Sequence, residues 1–294
     1  MAVKYQKKAG EVIFDVCNCV LMAVILFITI YPIWYVLVGS LNEGNDFLKG
    51  GIYFFPRKFT FENYIEVFNT PELLNAFLVT VARTVVGVVT HVLFTGLFAF
   101  GFCRKGLVLK KLYWVICIIP MFIGGGLIPF YLLLVDLHLT DTFWVYIIPA
   151  LFSFWDVLIL SNFYNGIPES LFEAARIDGM GEFKLFFKIV FPLSLPVFAA
   201  IALFTGVGQW NSFFDSLLYN PLSPQYKTLQ HLVVEMLKDA TTTTGGTTHG
   251  GGKGTTTESV QYASIMVSTI PILVIYPFLQ KYFVYGVMTG AVKE

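Results

Sequence analysis

From Val16 to Gly39 the chain runs for twenty-four residues without an Asp, Glu, Lys, Arg or His, and five further stretches come close to that pattern. A bilayer core of about 30 Å needs roughly 20 apolar residues as helix, because other backbone arrangements leave N–H and C=O groups unpaired in hydrocarbon. The stretches run from Val16 to Gly39, Leu74 to Phe102, Leu112 to Leu133, Thr142 to Phe163, Val197 to Tyr219 and Tyr262 to Phe283. They predict an all-α integral membrane protein with six transmembrane helices. Pro32, Pro120, Pro129, Pro149 and Pro271 fall inside them and are tolerated where neighbouring helices hold the freed carbonyls.

Composition excludes the main alternative. With 56% hydrophobic and 13% charged residues and a mean hydropathy of +0.71, the chain is too apolar for a water-soluble domain of its length. Lys+Arg and Asp+Glu are 19 each, with no basic cluster interleaved with aromatics, so nothing points to nucleic acid. Cys17, Cys19, Cys103 and Cys117 have neither disulfide-framework nor metal-ligand spacing and read as small packing residues. Lys4, Lys7 and Lys8 precede the first run as in a signal peptide. That run is about twice a normal apolar h-region and lacks a small-residue cleavage site, so it reads as a retained span.

Orientation follows from the basic residues, which collect on the cytoplasmic side. With the N-terminus inside, the inner segments hold twelve: Lys4, Lys7, Lys8, Arg104, Lys105, Lys110, Lys111, Arg176, Lys184, Lys188, Lys281 and Lys293. The longer outer segments hold six, Lys49, Arg57, Lys58, Lys227, Lys238 and Lys253, and Arg83 lies within a span. The expected organisation is a cytoplasmic N-terminus at 1–15 and a permease domain at 16–283, N-in and C-in. That domain contains a cytoplasmic loop at 165–196 and an outer loop at 220–261, and a cytoplasmic tail follows at 284–294.

The loop at 165–196 reads NGIPESLFEAARIDGMGEFKLFFKIVFPLSLP between Asn165 and Pro196. Pro168 and Glu169 suit a helix start, and Gly179 and Gly181 suit its end. Leu171, Phe172 and Ala175 fall on one side of that short helix at spacings of three to four, while Glu173, Arg176 and Asp178 fall elsewhere. An amphipathic helix lying across the inner ends of a bundle suits docking into a groove on a partner.

Glu173-Ala174-Ala175, Asp178-Gly179, Ile189 and the run Phe191-Pro192-Leu193-Ser194-Leu195-Pro196 resemble the EAA loop of binding-protein-dependent ABC importer permeases. The fuller form EAARIDG resembles the carbohydrate-uptake branch, in particular the smaller permease of maltose-type systems and its oligosaccharide relatives. WNSFFD from Trp210 to Asp215, FTFENY from Phe59 to Tyr64 and GVMTGAVKE at the C-terminus share that likeness, which covers nearly the whole chain.

The resemblance implies a type I importer permease fold working beside a second homologous permease, two cytoplasmic ATPase subunits and an extracytoplasmic solute-binding protein. It implies a sugar or oligosaccharide substrate and a place in the bacterial inner (cytoplasmic) membrane. ATP and Mg would be bound by the ATPases, with no cofactor or metal on this chain and no catalytic residue. Glu173 would pair with a basic group of an ATPase, Ala174 and Ala175 would allow close approach, and Gly179, beside Asp178, would permit the turn away. The tail from Gly290 to Lys293 is a further candidate for that contact.

One glycine-rich stretch, from Gly245 to Gly254, invites comparison with a phosphate loop. It fails the pattern, because Thr247 stands where the first glycine is required and Gly254 follows Lys253. The surrounding Thr241–Thr257 stretch reads as a flexible linker, or as a probe for a donor protein by analogy with the maltose-type outer loop. The preceding segment from Thr228 to Leu237 fits an interfacial helix.

Polar groups within the spans are the candidates for the substrate path, since ionisable residues at membrane depth face a cavity or a partner. Arg83 and Asp156 are open to three readings: pairing with each other, lining the path, or bonding to the second permease. Gln209, Trp210, Asn211 and Asp215, with Trp155, supply the aromatic, amide and carboxylate groups that sugars require. The same residues also suit an aromatic belt and helix packing. His91 reads as a hydrogen-bonded helix contact.

Two rival functions use the same topology. A permease of this class for a non-sugar solute is disfavoured by EAARIDG and Trp210-Asn211. An ion-coupled carrier would show broken helices and intramembrane acidic relays. A membrane enzyme would need convergent His, Asp or Glu residues, which four scattered histidines do not offer.

Overall fold

The computed structural model describes residues 9–104, 106–242 and 254–291. Lys4, Lys7, Lys8, Lys105, Lys253 and Lys293, most of the threonine- and glycine-rich stretch and the end of the C-terminal tail lie outside the described residues. Among those described the chain is all-helical, with one isolated β-bridge between Asn42 and Phe59. The chain divides into two compact units: residues 1–70 with 237–267, and 71–236 with 268–294.

The first unit holds α1 (Ala9–Ser40), α2 (Gly44–Phe47) and α3 (Glu62–Asn69). Side chains of α1 from Val12 to Trp34 are largely exposed, as expected of an apolar helix whose solvent is lipid. The end of α1 is fixed by buried amides. Asn63 donates through Nδ2 to the carbonyls of Ser40 and Asn42 (2.9 Å each) and accepts from Ser259 Oγ (2.7 Å). Asn42 Oδ1 accepts from the backbone N–H groups of Arg57 and Lys58 (2.8 and 2.9 Å). The bonds to the Ser40 and Asn42 carbonyls satisfy groups at and just beyond the helix end that lack intrahelical partners.

The second unit is built on α4 (Pro71–Phe102), followed by α5 (Lys110–Phe122), α6 (Leu127–Asp136), α7 (Phe154–Asn165), α8 (Glu169–Ile177) and α9 (Glu182–Leu185). A π-helical turn at Phe186–Val190 leads into α10 (Phe191–Leu193), α11 (Leu195–Asn211) and α12 (Phe214–Tyr219). α13 (Leu229–Thr242) and α14 (Thr257–Ala291) begin in one unit and end in the other. α4 packs along α11 and α7 around a core that includes Ala99, Val157, Leu160, Leu185, Phe186, Val190 and Phe198. Gly96 permits the close approach of α4 to α11: a Cβ there would lie 2.7 Å from the Phe198 ring.

Three helices are long and apolar enough to cross a membrane alone, at Gly10–Ser40, Pro71–Phe102 and Thr257–Pro277. The other three expected spans are interrupted, which corrects the expectation of continuous helices. The third bends by 116° between α5 and α6, where Gly124, Gly125 and Gly126 break the ladder. The fourth starts as a 3₁₀ turn at Phe143–Tyr146, runs irregularly past Pro149, and becomes helical only at α7. Pro149 has no N–H to continue the ladder, and Ser153 caps the new helix by accepting from the Asp156 N–H (3.3 Å). At twelve residues α7 spans about 18 Å, short of the hydrocarbon core. The fifth follows an 83° bend at Ser194, ahead of Pro196, and is interrupted between Asn211 and Phe214.

Gly96→Val tests the α4–α11 approach. Leaving glycine gains at most about 1 kcal/mol of helix propensity, while overpacking against Phe198 and Phe186 costs about 1–3 kcal/mol. The net result expected is a lower thermal unfolding midpoint in detergent, read by size-exclusion chromatography of heated samples.

Candidate functional site

Sequence reasoning points to two places: the short helix now seen as α8 and the polar groups of the interrupted spans. α8 is built by local signals. Pro168 stands at its N-cap and Glu169 in its first turn. At its far end the Met180 N–H donates to the Ala175 carbonyl (2.9 Å) and the Gly179 N–H to the Arg176 carbonyl (3.0 Å). This is the Schellman arrangement, and it needs a left-handed residue, supplied by Gly179 at φ +72°.

α8 has two faces. Phe172 and Ala175 are buried in the core of the second unit, with Ala175 only 3% exposed. Glu173, Ala174, Asp178 and Gly179 are exposed. The expectation that both alanines face a partner is therefore corrected: Ala174 faces outward, and Ala175 is taken by the chain's own core because it follows Phe172 by three residues. Leu171, placed by spacing on the apolar side, is exposed. Sequence reasoning missed Ile177, 86% exposed beside Glu173 one turn earlier, whose signal was an aliphatic side chain on the polar face.

Behind α8, a cavity of about 780 Å³ is lined by Arg104, Lys110, Tyr164, Glu169, Phe172 and Arg176 among others. Cys103, in the turn after α4, donates toward the Ser161 carbonyl (3.7 Å). Burial pushes its thiol pKa up, which keeps it protonated and unreactive.

The intramembrane polar residues hold the broken helices. Arg83, 1% exposed on α4, donates through Nε and Nη2 to Gln209 Oε1 (3.0 and 2.8 Å). Its Nη1 and Nη2 reach Asp215 Oδ1 and Oδ2 (3.1 and 2.5 Å), and Nη1 also reaches the Ser212 carbonyl (3.4 Å). The guanidinium lies 4.2 Å from the centre of the Tyr146 ring. A bidentate carboxylate, an amide, a carbonyl and a ring face meet its bonding capacity. Arg83 does not pair with Asp156.

Asp156 Oδ2 lies 3.0 Å from His91 Nε2, whose Nδ1 lies 2.7 Å from the carbonyl of Ala150 in the irregular stretch before α7. Gln209 Nε2 donates to the Tyr146 carbonyl (3.1 Å). Trp210 is buried, and its Nε1 donates to the Ser268 carbonyl (2.7 Å). Asn211, exposed, donates to the Val207 carbonyl and accepts from Gln230 Nε2 (3.0 and 3.4 Å). Trp155 is 59% exposed. A cavity of about 290 Å³ opens beside Arg83, Tyr146, Gln209, Asp215 and Tyr219. Of the seven path candidates, five are thus engaged in packing or helix-end bonds, and Trp155 and Asn211 present exposed side chains. Among the described residues no His, Cys, Asp and Glu cluster is arranged to hold a metal ion.

Known proteins resemble the chain along its length. The family described as "Binding-protein-dependent transport system inner membrane component" matches residues 1–214. Protein LplC of Bacillus subtilis is 37% identical over 98% of this chain and 97% of its own length. The polygalacturonan/rhamnogalacturonan transport system permease protein YtcP, also of B. subtilis, is 32% identical over 96% of this chain and 98% of its own. A solved chain from a bacterial ABC transporter involved in import of the acidic polysaccharide alginate superposes with a TM-score of 0.87 at 26% identity. The match covers 95% of this chain and all of that one.

Arg83→Met would leave Asp215 facing an apolar neighbour, and breaking such a pair costs about 3–5 kcal/mol. The single variant should lose most of its folded yield in detergent. Arg83→Met/Asp215→Leu should recover a large part of it; a double variant as damaged as the single would show that the ion pair is not the cause.

Proposed function

Because the chain belongs to the binding-protein-dependent transport system inner membrane component family, we propose that it is a permease subunit of an ATP-driven importer for sugars or oligosaccharides, with α8 as its docking helix. The observation that carries this reading is the division of α8 into a face locked into the permease core at Phe172 and Ala175 and an exposed face bearing Glu173, Ala174 and Ile177. An exposed isoleucine beside a carboxylate suits a groove with an apolar floor and a basic rim. The permeases named among its relatives, for polygalacturonan and rhamnogalacturonan, and the alginate importer support a carbohydrate substrate.

The chain works in the cytoplasmic membrane with its N- and C-termini inside, as its twelve inner and six outer basic residues favour. α1, α4 and α14 cross whole, and the two bent pairs and the interrupted 142–165 stretch complete six crossings. Its partners are a second permease, two ATPases that hold ATP and Mg, and a solute-binding protein outside; this chain carries no cofactor. Closure of the ATPases moves α8, and the core at Phe172 and Ala175 passes that movement to the spans, opening the path outward for sugar delivered by the binding protein. Of the path candidates, Trp155 and Asn211 are the side chains exposed enough to meet a sugar. Arg83 contributes no charge to an acidic substrate, since Asp215 and Gln209 occupy it.

Broken helices, one mark of an ion-coupled carrier, are present here. Three of the freed carbonyls, those of Ala150, Tyr146 and Ser212, are held by His91, Gln209 and Arg83, which denies these three to an ion site.

The test is uptake and ATP hydrolysis in liposomes containing the assembled importer and sugar-loaded binding protein. Glu173→Ala and Ile177→Asp should each lower stimulated hydrolysis about tenfold, as expected for loss of a charge-assisted bond or an apolar anchor. Transport by this chain without an ATPase, unaffected by Glu173→Ala, would overturn the reading in favour of an ion-coupled carrier.

A further inference from the structure

We propose that Arg104, paired with Glu182, is the positioning residue that ties the docking helix to α4, so that movement of α8 displaces α4 rather than merely tilting the loop. The proposal rests on α8 being the docking helix.

Arg104 lies in the turn that follows α4, and its guanidinium covers the Phe100 ring of α4 at 4.0 Å. The same guanidinium faces the Phe172 ring of α8 at 5.1 Å, and its Nη2 bonds Glu182, the first residue of α9. Glu182 in turn lies 3.5 Å from Nε of Arg176, whose Nη1 lies 4.0 Å from Glu169. One line of alternating charge therefore runs from the end of α4 through Arg104 and Glu182 to both ends of α8. An arginine suits the position because its planar cation stacks on a ring and bonds a carboxylate at once, which lysine does less well.

The surroundings show that charge and ring contacts hold this joint. Cavities of about 780 and 270 Å³ flank it, and Phe100, Arg104 and Glu182 line both. Close packing, which fixes Phe186 and Leu185 nearby at zero exposure, does not enclose the Arg104 side chain, 21% exposed. Nε of Arg104 is buried without an acceptor. A spare buried donor beside open space lets the side chain follow a second position of α8 at little further cost.

What α4 receives at this end it carries along its length. Arg83 lies roughly 30 Å away along the same helix, by the rise per residue, and holds α11 and α12 through Gln209 and Asp215. A continuous helix pinned by one ion pair beside its C-terminal end and another near its middle can carry displacement between them; the contacts with α7 and α11 guide it.

The experiment measures sugar taken up per ATP hydrolysed in liposomes containing the complete importer. It compares wild type, Arg104→Gln, Glu182→Gln and the charge swap Arg104→Glu/Glu182→Arg, with Glu173→Ala alongside. Glu182 is exposed, so Glu182→Gln is expected to fold and assemble even if Arg104→Gln does not. The proposal expects Glu182→Gln to keep basal hydrolysis while uptake per ATP falls about tenfold, with the swap recovering much of the ratio. A merely structural role would lower uptake and hydrolysis in proportion, leaving the ratio at the wild-type value, and that result overturns the proposal. If Glu173→Ala uncouples while the Arg104 and Glu182 variants keep the wild-type ratio, the coupling through α4 is wrong and the docking helix stands. If Glu173→Ala changes nothing, the docking reading fails and this proposal with it.

Discussion

A carbonyl without a hydrogen-bond partner in hydrocarbon costs several kcal/mol, and this chain breaks its helices inside apolar segments. The breaks before α7 and after α11 are supported by side chains of α4 and α11 that reach the groups they expose. His91 on α4 takes the Ala150 carbonyl, Gln209 on α11 takes that of Tyr146, and Arg83 on α4 takes that of Ser212. α4 is unbroken over thirty-two residues, and from it Arg83 and His91 project toward the irregular stretches. Polar residues that look functional by their rarity thus have a prior duty to the backbone. Their energetic weight comes from the alternative, an orphaned peptide group in lipid.

α8 depends on that scaffold. A nine-residue helix has little stability of its own in water, so its position comes from burying Phe172 and Ala175 against a core anchored on α4, α7 and α11. Using one face for that burial leaves the other free, and only there can a partner push. Rigid seating inward and exposure outward make the helix a usable point of contact: a helix packed on both sides would receive no force, and one packed on neither would pass none on.

The legible parts of the sequence were those decided locally. Pro168, Glu169 and Gly179 mark the ends of α8 because capping chemistry acts within a turn, and the observed helix ends where they say. The interrupted spans were misread because apolarity reports that a segment avoids water and says little about continuity. Pro149 and the Ser153 cap over Asp156 were present as local signals, but hydrophobic length outweighed them. The partner of Arg83 was not legible at all. Depth along a span follows from counting residues at 1.5 Å each, but azimuth does not, and the rotation of α4 decides that Arg83 meets Asp215 while His91 meets Asp156. Ala175 failed for a related reason. The resemblance assigned it to a partner's surface, whereas its spacing from Phe172, already visible, assigned it to the core.

Proton and charge counting completes the account of the intramembrane groups. Arg83 and Asp215 sum to zero. At His91, the carbonyl of Ala150 can only accept, so Nδ1 carries a proton, while Nε2 faces a carboxylate oxygen of Asp156. A single shared proton must lie between Nε2 and that oxygen, since two lone pairs at 3.0 Å would repel. Whether the proton sits on the ring or on the carboxyl, the pair is neutral overall. Both buried clusters therefore hold polar groups without net charge, the condition under which ionisable side chains persist in a low-dielectric layer. A neutral lining rejects neither a neutral nor an acidic sugar by long-range field. On the proposed reading, discrimination at this chain rests on shape and hydroxyl bonding at exposed groups such as Trp155 and Asn211.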